Sequence, residues 1–220
     1  MELNLIKRDI PKELYEIIEK EIKALRPAQE KSIKQGLLQG KSLLVCTPTA
    51  SGKTLIAELG ALKSIIEGKG KAIYIVPLKA LASEKFRDFK RKYSKIVKIA
   101  LSIGDIDSAD PFLADCDLIV TTSEKLDSLI RHHSPWISSI ATIIIDEIHL
   151  LNDTERGPTL EILLTILRQV LKNSQIIGLS ATIGNAEELA EWLGADLVVD
   201  DWRPVKLHKG IYFDGKIEFY

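Results

Sequence analysis

Thr47-Pro48-Thr49-Ala50-Ser51-Gly52-Lys53-Thr54 follows a short apolar run, Leu43-Leu44-Val45-Cys46, and opens a helical pattern that continues to about Ile66. A strand feeding a loop of small residues, which in turn feeds a helix, is the layout that holds phosphates. The N–H groups of the loop and of the first helical turn point at the anion, and Gly52 leaves the approach free of a Cβ. Lys53 can reach the terminal phosphates of a nucleoside triphosphate as a cation, and the Thr54 hydroxyl can take a place on Mg²⁺. The usual motif opens on Gly, where this chain carries Thr47.

Outward from the loop, the next decisive stretch is Asp146-Glu147-Ile148-His149, which follows Ala141-Thr142-Ile143-Ile144-Ile145. An Ile-rich run without polar alternation reads as a strand buried on both faces of a parallel sheet. Carboxylates at the C-terminal end of such a strand sit where open α/β sheets bind ligands. Adjacent residues leaving a strand point in different directions, so the two acids can do different work. Asp146 is placed to hold Mg²⁺, usually through water, and Glu147 to polarise the water that attacks the γ-phosphate. Alone, an Asp-Glu pair after a strand reads as a helix cap. Beside the phosphate loop it reads as the second half of an ATP site, with Lys53, Asp146 and Glu147 as candidate catalytic residues.

Short apolar runs alternate with helical patterns along the rest of the chain. Strands are expected at 43–47, 71–76, 96–101, 117–120, 141–145, 175–179 and 196–199, and helices at 53–66, 78–92, 123–132, 158–172 and 185–193. Alternation of this kind means right-handed crossovers and a mostly parallel sheet with helices on both faces, an α/β fold. Leu14, Ile17, Ile18, Ile22 and Leu25 keep helical spacing from Pro11 to Leu25, and a second helix is expected after Pro27. The tail beyond Asp201 alternates and suggests an extended exit or a small hairpin around Asp214-Gly215.

Composition sets limits on function. The chain has 220 residues, 45% of them hydrophobic and 28% charged, which describes one sizeable soluble domain. No apolar run approaches the roughly 20 residues that span a bilayer, and the N-terminus carries no export signal. Cys46 and Cys116 read as small core residues of a reducing compartment, so the expected location is cytoplasmic. The net charge of −1 excludes a domain that holds nucleic acid by bulk electrostatics, so any strand-binding surface must be local. The basic run from Lys85 through Lys90-Arg91-Lys92 to Lys98 reads as a solvated helix face, with direct contact to strand phosphates as the alternative. His132, His133 and His208 lack partners at metal-ligand spacing and read as surface or packing residues. Trp136, Trp192 and Trp202 read as packing against the sheet's edges.

With these motifs in place the chain resembles the first RecA-like lobe of a superfamily 2 helicase, a phosphate-loop NTPase fold. The letters D-E-I-H resemble the Ski-like branch, and Thr121 to Arg131, Asp146 to Leu151 and Asp201-Trp202-Arg203-Pro204-Val205 look most like the archaeal Hjm-type DNA helicases. The resemblance covers residues from about 20 to about 205. Leu25-Arg26-Pro27-Ala28-Gln29 resembles the Q motif, in which the Gln29 amide would read adenine. Gln29 thus joins the eight loop residues as a candidate ATP contact. Pro77-Leu78-Lys79-Ala80-Leu81-Ala82 resembles motif Ia; Gly104-Asp105 and Thr121-Thr122-Ser123-Glu124-Lys125 resemble the next two nucleic-acid motifs. The resemblance therefore implies strand contacts at Pro77, Lys79, Gly104, Asp105, Thr121, Thr122 and Ser123. Thr121 with Glu124 also reads as a capping box. Ser180-Ala181-Thr182 resembles motif III, so Ser180, Thr182 and His149 are implied to link ATP state to domain movement.

The organisation expected from this is an N-terminal helical segment at 1–26, the ATP-binding lobe at 27–203, and an exit segment at 204–220 leading to a second RecA-like lobe. The arginine fingers that close over the γ-phosphate would lie in that second lobe, so a 220-residue monomer is expected to hydrolyse ATP poorly and to unwind nothing alone. The resemblance implies ATP and Mg²⁺ as cofactors, single-stranded or forked DNA as partner, 3′-to-5′ movement, and work in repair or at stalled forks. An RNA helicase lobe of the same branch, or a phosphate-loop protein that is not a motor, are the alternatives.

Overall fold

The computed structural model describes residues 1–104 and 110–219. Its main sheet contains β1 (Leu43–Cys46), β2 (Lys71–Val76), β3 (Ile99–Ser102), β4 (Leu118–Thr122), β5 (Ile140–Ile145), β6 (Gln175–Ser180) and β7 (Asp196–Val199). The strands lie in the order β3-β4-β2-β5-β6-β1-β7, and every pairing is parallel. The helices are α1 (Lys12–Glu21), α2 (Pro27–Lys34), α3 (Lys53–Ile66), α4 (Lys79–Tyr93), α5 (Ser123–Arg131), α6 (Gly157–Val170) and α7 (Ala186–Leu193).

Consecutive strand residues feed opposite cores, which is why the apolar runs show no alternation. Ile144, Val45 and Tyr74 face a core closed by α1 to α4, with Leu14, Ile18, Leu59 and Phe89 among its members. Ile143, Ile145, Leu44 and Ile73 face the other core, closed by Leu126, Leu129, Leu163, Leu167 and Leu193 of α5 to α7. Each fully buried Ile or Leu contributes roughly 1.5–3 kcal/mol, so both faces of the sheet are held independently of any ligand. A charge at Ile144, which has no exposed surface, would have no partner there and would break the first core.

Two boundaries differ from expectation by three residues or more. Helix α1 ends at Glu21, although Ile22 and Leu25 keep helical spacing. Pro27 drives Arg26 to an extended conformation (φ −74°, ψ 159°). The preceding residues instead pair with the N-terminus: Leu3 N–H donates to Lys23 O at 3.0 Å and Leu25 N–H to Met1 O at 2.8 Å. Leu3, Ile6 and Ile10 thereby join the same core as α3. Strand β3 starts at Ile99 rather than 96, because the N–H groups of Ile96 and Val97 donate to Tyr93 O and finish α4. The tail forms the expected hairpin, β8 (Gly210–Phe213) against β9 (Lys216–Phe219). Its turn places Asp214 (φ 47°) and Gly215 (φ 76°) in the left-handed region, as a two-residue hairpin turn requires. Residues 201–219 are exposed throughout.

The sheet order puts the functional loops side by side. Strand β6 lies between β1 and β5, so the loop after β1, the acid pair after β5 and Ser180-Ala181-Thr182 after β6 open on one edge.

Candidate functional site

The eight-residue loop closes on itself. Thr47, standing where Gly is usual, puts its hydroxyl 2.6 Å from Ser51 Oγ and clasps the loop at its base. The Thr47 N–H donates to Ser180 O of β6 at 3.2 Å. Pro48 is buried and Thr49 exposed. Ala50 (φ 62°) and Gly52 (φ 90°) take left-handed turns, and a Cβ on Gly52 would meet Gln29 Nε2 at 2.5 Å. Lys53 is folded back into the loop, donating to the carbonyls of Thr47 at 2.9 Å and Pro48 at 3.3 Å. Burial pushes its ammonium below the ordinary range, against the pull of the Glu147 and Asp146 carboxylates.

Gln29 joins two elements. Its Oε1 accepts the Arg26 N–H at 2.8 Å, capping α2, and its Nε2 donates to Gly52 O at 2.9 Å. Both ends of the amide are therefore engaged. Arg26 adds a bond from Nη1 to Ala50 O at 2.6 Å and stacks its guanidinium 5.6 Å from the Trp202 ring. Trp202 thus packs on Arg26, and it remains more than a third exposed.

Asp146 and Glu147 diverge as the strand ends. Asp146 N–H still pairs with Ile75 O at 2.9 Å, whereas Glu147 turns into the left-handed region (φ 52°). Asp146 Oδ1 accepts the Glu147 N–H at 3.0 Å, and Oδ2 accepts the Tyr74 hydroxyl at 2.7 Å. Burial, reinforced by the Asp146 charge, holds the Tyr74 phenol well above its ordinary range, so it remains a donor. Lys85, from α4, donates to Thr54 Oγ1 at 2.9 Å and lies 3.6 Å from Asp146 Oδ2. Thr54 and Asp146 are oxygen donors of the kind Mg²⁺ prefers. One ammonium already touches both, so the donor set fits a cation placed between them.

The phosphate loop, Lys85, Asp146 and Glu147 line one open cavity of about 290 Å³. A second, of about 350 Å³, shares Arg26, Gly52, Thr54 and Lys85 with it and is walled by α1, α3 and α4. On the far side of the acid pair, His149 Nδ1 lies 3.4 Å from the Ala181 N–H and 3.4 Å from Glu147 Oε2. An unprotonated Nδ1 accepts from Ala181; a protonated one can donate only to Glu147. Ser180 is fully buried and its hydroxyl has no hydrogen-bond partner, while Thr182 is exposed.

Residues 26–189 match the DEAD/DEAH box helicase family. The chain belongs to that family. Over 208 residues this DEAD/DEAH box chain is 52% identical to the ATP-dependent DNA helicase Hel308 of Pyrococcus abyssi, covering 94% of itself and 29% of that relative. It is 56% identical over 202 residues to Hel308 of Methanocaldococcus jannaschii, covering 89% of itself and 17% of the relative. Its fold is similar to the crystal structure of the DUF1998 helicase MrfA, with a TM-score of 0.72 and 26% identity over 87% of this chain and 32% of that one. The chain thus spans less than a third of each of these proteins. The RecA-like fold expected from the motifs is the fold found.

The remaining candidates of this DEAD/DEAH box chain lie at other strand ends of the same edge. Pro77 follows β2, and the exposed Lys79 is the first residue of α4. Gly104 lies just past β3 in the left-handed region (φ 103°); Asp105 lies outside the described residues. Thr121, Thr122 and Ser123 are buried. The Thr121 hydroxyl donates to Ser102 O at 2.8 Å, so it ties β4 to β3 and does not form the capping box expected with Glu124. The basic run also departs from a solvated face: Lys85 turns into the nucleotide site, and Lys92 pairs with Glu21 at 2.7 Å and with buried Glu58 at 3.7 Å. No sequence signal marked Tyr74, whose hydroxyl partner lies 72 residues away. Among the described residues, no helix is long and apolar enough to cross a membrane.

Proposed function

We propose that this chain is the ATP-binding motor lobe of a DNA helicase, acting with a second RecA-like lobe. The observation that carries the reading is the convergence on one edge of the sheet. The phosphate loop and the acid pair flank β6, and a single cation, the Lys85 ammonium, already touches both Thr54 and Asp146. DNA is preferred over RNA as substrate because the relatives at about 50% identity are described as DNA helicases.

In this reading Lys53 leaves the carbonyls of Thr47 and Pro48 to meet the β- and γ-phosphates of ATP, and the N–H groups at the start of α3 face the same anion. Gln29 exchanges Gly52 O and the Arg26 N–H for the edge of adenine. Thr54 and Asp146 hold Mg²⁺, which when bound neutralises charge on the phosphate oxygens. Glu147, turned out of the strand by its left-handed conformation, orients and deprotonates the attacking water. His149 and Ser180-Ala181-Thr182 connect that carboxylate to β6 and so to the second lobe. Pro77, Lys79, Gly104, Thr121, Thr122 and Ser123 mark the edge where a strand's phosphates would meet the protein, and Asp105 joins them by resemblance alone. The protein works in the cytoplasm, and this lobe is a monomer.

Calorimetry with ATP and Mg²⁺ tests the nucleotide site: wild type binds, and Lys53→Ala does not while keeping its melting curve. Wild-type affinity in that variant would overturn the loop assignment. A strand-displacement assay tests the motor: the 220-residue chain alone should not unwind a forked duplex, and the chain joined to its second lobe should. Unwinding by the chain alone would refute the two-lobe mechanism.

A further inference from the structure

Lys85 lies in the second turn of α4, where the sequence presents a basic helix face. Its side chain nevertheless turns inward and is four-fifths covered. The ammonium donates to Thr54 Oγ1, lies near Asp146 Oδ2, and stands 5.9 Å from the centre of the Tyr74 ring. These partners are the two oxygens assigned above to Mg²⁺ and the ring whose hydroxyl fixes one of them. A lysine nitrogen therefore stands where the divalent cation would be, and both cations cannot occupy that point.

We propose that Lys85 is a resident counter-cation: it holds the metal position ahead of the nucleotide, keeps Mg²⁺ from binding alone, and withdraws when metal and nucleotide arrive together. The role rests on the nucleotide reading of the loop. Without Lys85, the neighbouring carboxylates of Asp146 and Glu147 would keep Lys53, which is turned back onto its own carbonyls, and His149 beside Glu147. The ammonium therefore neutralises an acidic pair that would otherwise attract free metal or repel the incoming phosphates. Binding a metal–nucleotide pair reverses the balance, because the phosphates bring both negative charge and further oxygen ligands.

The withdrawing side chain has a second berth within reach. Lys85 also lines the neighbouring 350 Å³ cavity, whose walls include Asp88 and Glu58. Glu58 is 5% exposed; its Oε2 accepts the Tyr93 hydroxyl at 2.9 Å, and its nearest lysine contact, Lys92, is 3.7 Å from Oε1. Both acids line the same cavity as Lys85, so an ammonium turned away from Asp146 would still face carboxylates.

The test measures metal binding by the 220-residue chain without nucleotide, using Mn²⁺ and the electron paramagnetic resonance of the free ion. Lys85→Met should bind Mn²⁺ at least tenfold more tightly than wild type, and Lys85→Arg, which keeps the charge, should bind as weakly as wild type. Equal affinity in wild type and Lys85→Met overturns the role. A second measurement needs no variant: the ¹⁵N signal of the wild-type Lys85 ammonium should shift with Mg²⁺ and ADP together and stay in place with Mg²⁺ alone. An equal shift with Mg²⁺ alone also overturns it. Failure of wild type to bind ADP with Mg²⁺ would sink the nucleotide reading itself. ADP binding with an unchanged Lys85→Met would remove only the part given to Lys85.

Discussion

Replacing Tyr74 by Phe removes one oxygen from the middle of the sheet and tests how Asp146 is held. The ring is fully buried in β2, so Phe fills the same space and no cavity opens. What is lost is a 2.7 Å bond from a phenol to a carboxylate that is itself 11% exposed. A hydrogen bond to a charged group contributes about 1.5–3 kcal/mol. Asp146 keeps the Glu147 N–H and Lys85, so the lower end applies. About 1.5 kcal/mol in a chain of this size lowers Tm by roughly 3–6 °C. Thermal melts of wild type, Tyr74→Phe, Asp146→Asn and the double variant give the coupling directly. The single Tyr74 change should cost much less once Asp146 is neutral. Calorimetry on Tyr74→Phe should also show weaker Mg²⁺-dependent ATP binding, because Asp146 loses a fixed rotamer. A Tyr74→Phe chain as stable as wild type, with no coupling to Asp146, would refute the reasoning.

Three further outcomes are expected. Gly52→Ala places a methyl against the Gln29 amide and strains a left-handed residue by about 1–2 kcal/mol; it should lower Tm and abolish ATP binding, checked by melting and calorimetry. Glu147→Gln should bind Mg²⁺-ATP as wild type does, whereas Asp146→Asn should lose roughly tenfold or more; equal binding by the two would contradict the division of roles. Burial raises the Glu58 carboxyl above its ordinary range, against the pull of Lys92. An acid whose pKa is raised on folding stabilises the fold relatively while protonated and loses that contribution as pH rises through the folded value. Glu58→Gln should therefore gain stability relative to wild type as pH climbs from the ordinary carboxylate range, and parallel Tm-versus-pH curves would contradict this.

The strands were legible because a parallel sheet buried on both faces leaves unbroken apolar runs, as at Ile143-Ile144-Ile145. The loop and the acid pair were legible because phosphate chemistry demands small residues, a lysine and carboxylates at strand ends. What was hidden depends on contacts between distant elements. The spacing of Ile22 and Leu25 is helical, yet pairing with Met1 and Leu3 takes those residues into an extended segment. Tyr74 reads as one more core residue, since a hydroxyl's partner leaves no trace in local pattern. Lys85 and Lys92 belong to a run of charges that describes a solvated surface unless the acids of α1, α3 and β5 are known to face it. Gln29 was readable as a cap or as a nucleotide contact; in the structure its amide serves the cap and the loop together.

The place of β6 between β1 and β5 also makes the sheet a gauge. Neighbouring strands lie about 4.7–4.9 Å apart, so the strands that launch the phosphate loop and the acid pair stand two such steps apart, roughly 9.6 Å. That distance is set by main-chain hydrogen bonds, to which every residue type except proline contributes alike. Replacing side chains can alter what is gripped at either end, but it cannot lengthen or shorten the interval. The loops may drift in sequence, as Thr47 in place of glycine illustrates, while the calibration beneath them stays the same.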